Sequence, residues 1–377
     1  MKITKVESFP VWGGGRNYFF VRVETDEGIA GIGEAGVTWQ ERATAGAVEQ
    51  LAERLVGQDP LRIEHLWQVM FRGEFFPAGR VVCAAISAVD IALWDILGKA
   101  LNVPVYQLLG GRVRDRVVCY PHAGGRSPEE LAANGRRLVS EGWKFVRFGV
   151  PSEGEVLEPS RAVRQTVAQF AALREAVGDE IELIVDLHTR LDPAESVTLC
   201  RALEPYRPYF LEDPLRAESP AAFHALRRHV AAPLAAGEQF ATKWEFRELI
   251  EEDLINYARV DLCIVGGITE ARKIAGWCET HYIQMAPHNP LGPVSAAACL
   301  HLDLAVSNFG VQEMPRRPGT ALTDVCPVQI DWADGYLLPP TRPGLGVEFD
   351  PAAARAHPYQ PSHGPLLHRE DGAFTNW

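Results

Sequence analysis

Residues 1–35 alternate apolar and polar side chains: ITKVESFPVW and YFFVRVET flank Gly13-Gly14-Gly15, and Asp26-Glu27-Gly28 turns into IAGIGEA. That period of two predicts an antiparallel sheet. The pattern then lengthens to helical spacing around 39–57, 60–71 and 79–101, the last with Ile86, Val89, Leu93, Trp94 and Leu97 on an apolar face. The opening region therefore reads as an α+β unit. A basic, glycine-rich segment, GGRVRDR at 110–116, ends it.

Beyond that segment, short apolar runs alternate with helical intervals: VVCYPHA, KFVRFGV, ELIVDLH, YFLEDP, PLAAGEQ, YARVDLC, YIQMAPHN and NFGVQE. Eight β/α repeats predict parallel strands closed into a barrel. Six of the runs end in Asp186, Glu212, Glu238, Asp261, His288 and Glu313, separated by 26, 26, 23, 27 and 25 residues. Each step is one β/α unit, so all six side chains should meet at the C-terminal mouth, where barrel enzymes keep their chemistry. From about 340 the chain is proline-rich and is expected to leave the barrel and pack back on the opening unit. The expected boundaries are 1–115, 116–339 and 340–377.

Composition narrows the class of function. The chain has 377 residues, 47% hydrophobic and 23% charged, as ordinary globular proteins do. With 37 Lys+Arg against 49 Asp+Glu its formal charge is −12, which lacks the electrostatic footprint of a nucleic-acid binder. Seven cysteines without a CxxC pair argue for buried thiols rather than disulfides or a thiolate zinc site. The N-terminus reads as a strand, not a signal peptide, and the uncharged stretch 282–302 carries Pro287, Pro290 and Pro293, which a membrane span tolerates badly. A cytoplasmic protein without membrane contact is expected.

Asp186, Glu212 and Glu238 end three consecutive strands. Three anions brought to one point repel unless a cation lies between them, and oxygen ligands alone suit Mg²⁺ first and Mn²⁺ second. Solvated acids at loop starts are the bland alternative, which the regular spacing opposes. His188, two residues after Asp186, should share its face in extended backbone, roughly 6 to 7 Å along the chain. His288 has Asp261 at the end of the preceding strand to orient its ring, the arrangement of a general base and its orienter. Gly266-Gly267 reads as a tight turn, and Glu251-Glu252-Asp253 as a solvated helix end.

Taken together, Asp186-Leu-His188, Leu211-Glu212-Asp213-Pro214, Ala236-Gly237-Glu238, Asp261 with Gly266-Gly267-Ile268-Thr269-Glu270, Ala286 through Pro293, and Gln312-Glu313 resemble the motif series of the enolase superfamily. The resemblance is to the mandelate racemase subgroup, and most closely to the D-galactonate dehydratase family. It implies a modified TIM barrel, (β/α)₇β, under an N-terminal α+β capping domain completed by the C-terminal tail. It also implies Mg²⁺ on Asp186, Glu212 and Glu238, the Asp261–His288 pair as base, His188 as acid, and Glu313 hydrogen-bonding the substrate carboxylate. The implied reaction removes the C2 proton of an aldonate such as D-galactonate and expels the 3-hydroxyl, leaving a 2-keto-3-deoxy acid. A homo-oligomer is expected.

The sequence departs from the subgroup in Lys144-Phe145-Val146-Arg147-Phe148-Gly149, where racemases carry a KxK pair. That counts against a racemase or epimerase, the first alternative; a catalytically silent sugar-acid-binding paralogue is the second. Arg147 is a candidate substrate contact, with an internal barrel ion pair as its other reading. Arg16, in one of the two candidate capping loops (13–18 and 71–80), is a further candidate for the substrate.

Overall fold

The structure is a computed structural model and describes residues 1–376. Its first sheet is antiparallel, β1 (Ile3–Trp12), β2 (Asn17–Thr25) and β3 (Ala30–Ala35), followed by helices α1 (Glu41–Leu55), α2 (Ile63–Arg72) and α3 (Arg80–Ala100). Gly13-Gly14-Gly15 makes the first hairpin turn, Gly14 at φ +89°. By length and composition α3 is apolar enough to cross a membrane, yet 83% of its apolar window is buried, because one face lies on the sheet and the other on the barrel. Gly31 and Gly33 make the sheet contact possible: a Cβ at Gly33 would stand 1.8 Å from the Ala88 carbonyl oxygen.

After a short α4 (Val105–Leu108) the chain enters the barrel. Its strands are β4 (Val117–Tyr120), β5 (Phe145–Gly149), β6 (Glu182–Asp186), β7 (Phe210–Glu212), β8 (Leu234–Ala236), β9 (Tyr257–Ala258), β10 (Gln284–Met285) and β11 (Gln312–Glu313). Between them run α5 (Pro128–Ser140), α6 (Pro159–Val177), α7 (Pro193–Leu203), α8 (Ala222–Arg227), α9 (Arg247–Glu251), α10 (Gly267–Thr280) and α11 (Pro293–Ala305). Strands β5 to β10 form one parallel ladder and β11 pairs parallel with β4. The bridges His122–Arg147 and Met285–Phe309 close the ring. Eight strands with seven intervening helices are the (β/α)₇β barrel. Tyr120, Phe145, Ile184, Phe210, Ala235, Ala286 and Val311 fill its interior.

Strands β8, β9 and β10 are shorter than the apolar runs suggest. Glu238, Asp261 and His288 stand two to three residues beyond their strands, in the loops at the mouth. Gly237, at φ +130°, turns the backbone out of the ladder just before Glu238. Past the hairpin of β12 (Trp332–Ala333) and β13 (Tyr336–Leu337), the tail returns to the first sheet. There Trp12 N donates to His357 O at 3.0 Å, Asn17 Nδ2 donates to Gln360 O at 2.7 Å, and Arg355 pairs with Glu7 at 2.9 Å. All seven cysteines are buried and free.

Candidate active site

Each strand end brings one functional group to the mouth. Asp186 and Glu212 close β6 and β7 in register, and both are wholly buried. Oxygens of Asp186, Glu212 and Glu238 lie within 4.8 Å of one another. Their charges are not equally met. Asp186 is paired with Arg147 of β5, which, after opposing burial, holds its carboxyl well below the usual range. Glu212 Oε1 accepts from Arg259 Nε at 2.5 Å, but burial and neighbouring Asp186 still lift its carboxyl to about 7. Among the described residues Glu238 is paired only with His288, at 3.5 Å; burial, with Asp213, Asp186 and Glu212 nearby, pushes it well above the ordinary value.

Oxygens Glu212 Oε2 and Glu238 Oε2 are buried without a hydrogen-bond partner among the described residues. Leaving such oxygens bare is costly, so the arrangement calls for a cation. An all-oxygen donor set fits Mg²⁺.

Glu238 and His288 are 14% and 16% exposed, His188 is 20% exposed, and His122 29%, so these four edge the opening while Asp186, Glu212 and Arg259 form its floor. His288 Nδ1 lies 2.8 Å from Asp261 Oδ2, which leaves Nε2 facing the carboxylates. Burial alone would push the His288 imidazolium down; Glu238, Glu313 and Asp261 outweigh it and raise the group to about 9.

His188 departs from the extended geometry expected of it. The strand stops at Asp186, and His188 and Thr189 adopt φ +48° and +53°. In this left-handed turn His188 N donates to Asp186 Oδ1 at 2.6 Å and the ring lies 2.8 Å from Asp186 Oδ2, folded onto the carboxylate rather than one pleat farther along. Burial and Arg147, whose Nη2 is 2.9 Å from His188 Nε2, press the imidazole toward its neutral form, and Asp186 opposes them. Gly149 makes room: a Cβ there would stand 3.1 Å from the His188 ring.

Glu313 ends β11 enclosed by donors. Oε2 accepts from Arg259 Nη2 at 2.5 Å and Asn289 N at 2.9 Å, and Oε1 lies 2.6 Å from His122 Nε2. Burial would raise its carboxyl, but Arg259, His288 and His122 hold it well below the usual range. Arg16 donates to Pro290 O at 3.0 Å and to Thr38 Oγ1, tying the first hairpin to the loop after β10.

Two groups at this mouth carry no sequence motif. Arg259 is fully buried and bridges Glu212 and Glu313 while donating to the carbonyls of Ala286 and Pro287 at 2.7 and 3.0 Å. His122 follows β4. Neither ends an apolar run at the β/α interval that marks the acids, so the period does not find them; the one signal is a polar side chain inside or just past such a run.

Comparison with known proteins agrees with this geometry. Residues 14–110 match the family model of the mandelate racemase / muconate lactonizing enzyme N-terminal domain, and residues 130–353 that of the enolase C-terminal domain-like family. A D-galactonate dehydratase from Ralstonia nicotianae is 39% identical over 100% of both chains. A D-mannonate dehydratase from Caulobacter sp. is also 39% identical, over 96% of each. Among solved structures, an enolase from Pantoea ananatis with bound D-gluconate and Mg superposes with a TM-score of 0.94 at 32% identity, covering 100% of this chain and 99% of that one. The chain belongs to the enolase superfamily, in its mandelate racemase and muconate lactonizing enzyme group.

Proposed function

We propose that this chain is a Mg²⁺-dependent hydro-lyase that dehydrates an aldonate to its 2-keto-3-deoxy acid. The observation that carries the reading is one mouth in which the carboxylate triad lies between the Asp261–His288 pair on one side and His188 on the other. Full-length relatives named D-galactonate and D-mannonate dehydratase, and a structural neighbour holding D-gluconate and Mg, support the substrate class.

A proton α to a carboxylate is too weakly acidic for an imidazole to remove unaided. Mg²⁺ held by Asp186, Glu212 and Glu238 supplies Lewis-acid stabilisation of the negative charge that grows on the substrate carboxylate. With the Glu238 charge that favours the His288 imidazolium offset by a cation on the triad, the neutral ring takes the C2 proton at Nε2, its Nδ1–H bonded to Asp261 so that the tautomer is fixed and the imidazolium that forms is stabilised. The C3–O bond then breaks as His188, entering this step as the imidazolium that Asp186 favours, protonates the leaving hydroxyl; water departs, and the enol ketonises by taking a proton at C3. Glu313 acts here as an acceptor. Holding His122 and Arg259, it fixes cationic and imidazole donors beside the substrate carboxylate.

Arg147 and Arg16 remain substrate candidates in this reading, Arg147 from the Asp186 side and Arg16 from the capping hairpin. Mn²⁺ should substitute for Mg²⁺ on the same oxygens. A cytoplasmic homo-oligomer with domains at 1–115, 116–339 and 340–377 completes the proposal; the hydrogen bonds of residues 355–360 to the first sheet support the last boundary.

Two results are expected. Incubated with Mg²⁺, the protein will convert D-galactonate, D-mannonate or D-gluconate to 2-keto-3-deoxy acid and leave mandelate unchanged; turnover confined to acids without a 3-hydroxyl would refute the assignment. Metal binding will also release protons. Because burial lifts the Glu212 carboxyl to about 7 and pushes that of Glu238 well above its ordinary value, a cation must displace protons to bind there, and Mg²⁺ affinity should rise with pH through the range where Glu212 titrates. Calorimetry in buffers of different ionisation enthalpy should read a net release of roughly one proton or more per ion.

A further inference from the structure

Glu34, in the last turn of β3, is completely buried, and no step above uses it. Its carboxylate belongs to the capping sheet but bonds only to the barrel. Oε1 accepts from Gly292 N at 2.7 Å, just before α11, and Oε2 from Ser295 N at 2.9 Å, in its first turn. Ser295 Oγ donates in turn to Asn289 Oδ1 at 2.7 Å. Asn289, the residue after His288, donates Nδ2 to Glu313 O and its own amide to Glu313 Oε2, both at 2.9 Å. A single line of hydrogen bonds thus runs from the capping sheet along the His288 loop to the floor of the mouth.

The approach is sterically fixed at both ends. A Cβ at Gly292 would stand 2.6 Å from Glu34 Oε1, and the glycines of β3 seat that strand directly on α3. Both groups facing Glu34 are N–H donors, so both of its oxygens must accept; an amide in its place would turn an NH₂ toward one of them. The same loop is also held from the first hairpin of that sheet, by Arg16 on Pro290 O.

We propose that Glu34 is a positioning residue for the base: acting through Ser295 and Asn289, it sets where His288 Nε2 stands over the substrate, so that the capping sheet and the base are aligned as one unit. The proposal rests on His288 being the base. Glu34 touches neither substrate nor metal, and its effect should appear in kcat rather than in KM or in Mg²⁺ affinity.

The test is a double-mutant cycle on the full chain with Mg²⁺ and the best aldonate, using Glu34→Gln, Ser295→Ala and both together. Each single variant should lose roughly tenfold to a hundredfold in kcat, the cost of a misplaced reacting group, with KM and Mg²⁺ affinity within about twofold of the parent. The double variant should be no slower than Glu34→Gln alone, because both changes cut one line of coupling. Multiplicative losses would overturn the proposal, as would parent-like kcat in Ser295→Ala, which removes a single hydroxyl and serves alone if Glu34→Gln does not fold. A separate readout keeps this claim distinct from the base assignment. The His288 imidazole NMR signal, identified by its absence in His288→Asn, should move in Ser295→Ala. If His288→Asn still dehydrates, the base assignment fails, and the positioning contact stands or falls on that signal: movement supports it and an unmoved signal overturns it.

Discussion

His288→Asn protein will form no 2-keto-3-deoxy acid from an aldonate that the parent protein dehydrates, and will not exchange the substrate's C2 hydrogen with D₂O. Nδ1 of this histidine is held by Asp261 and Nε2 faces the carboxylates, so it is the group placed to take the C2 proton. His188→Asn should behave differently. The base pair survives there, and only the proton for the leaving hydroxyl is lost, so C2 exchange should outpace dehydration. Removing a general acid or base costs on the order of 10² to 10⁴ in rate, which makes both losses easy to read. Exchange is visible only when the protonated base trades with solvent before returning the proton. The decisive observation is therefore the other one: robust dehydration by His288→Asn would assign the proton to another group.

The carboxylate triad makes the second large prediction, and its members should not behave alike. Glu238→Gln should abolish Mg²⁺ binding and turnover while leaving the melting temperature equal or higher. Glu238 is the least compensated of the three acids: burial pushes its carboxyl well above the ordinary value, so the side chain is already disposed to be neutral without metal and the amide costs little. Glu212→Gln should lose metal and turnover and also stability, because a neutral amide leaves the fully buried Arg259 guanidinium with one of its two carboxylates gone. Breaking a buried pair in this way costs about 3–5 kcal/mol. Loss of the ion's charge stabilisation, several kcal/mol at about 1.4 kcal/mol per decade, means a fall of at least about a thousandfold in kcat for either variant. EDTA should reproduce that loss in the parent protein and Mg²⁺ should reverse it. Equal melting temperatures in the two variants would show that Arg259 does not depend on Glu212.

The barrel and its triad are legible in the sequence for one physical reason. Every β/α unit must bring the chain back to the same mouth, so residues with one role recur at one interval, from Asp186 to Glu313. What escapes that period is local or reciprocal. The left-handed turn at His188 and Thr189 is set by packing around Gly149 and Arg147, and nothing in Asp186-Leu187-His188 marks the end of the strand. Two-residue ladders such as β9 and β10 are hidden inside longer apolar runs, because residues past the ladder stay buried by the capping domain and the helices. Arg259 looks like one polar interruption of such a run until its partners, 47 and 54 residues away, are known. Glu34 is less legible still: its partners lie 258 and 261 residues away, in another domain.

One measurement tests the central claim most directly. The protein is incubated in D₂O with Mg²⁺ and each of D-galactonate, D-mannonate and D-gluconate, and products are followed by proton NMR and mass spectrometry. Dehydration through C2 proton removal predicts a 2-keto-3-deoxy acid carrying one deuterium at C3, delivered when the enol ketonises, with formation strictly dependent on Mg²⁺. Recovery of every acid with inverted or deuterated C2 and no keto acid would instead show a racemase or epimerase, and recovery of every acid unchanged would contradict the catalytic reading altogether.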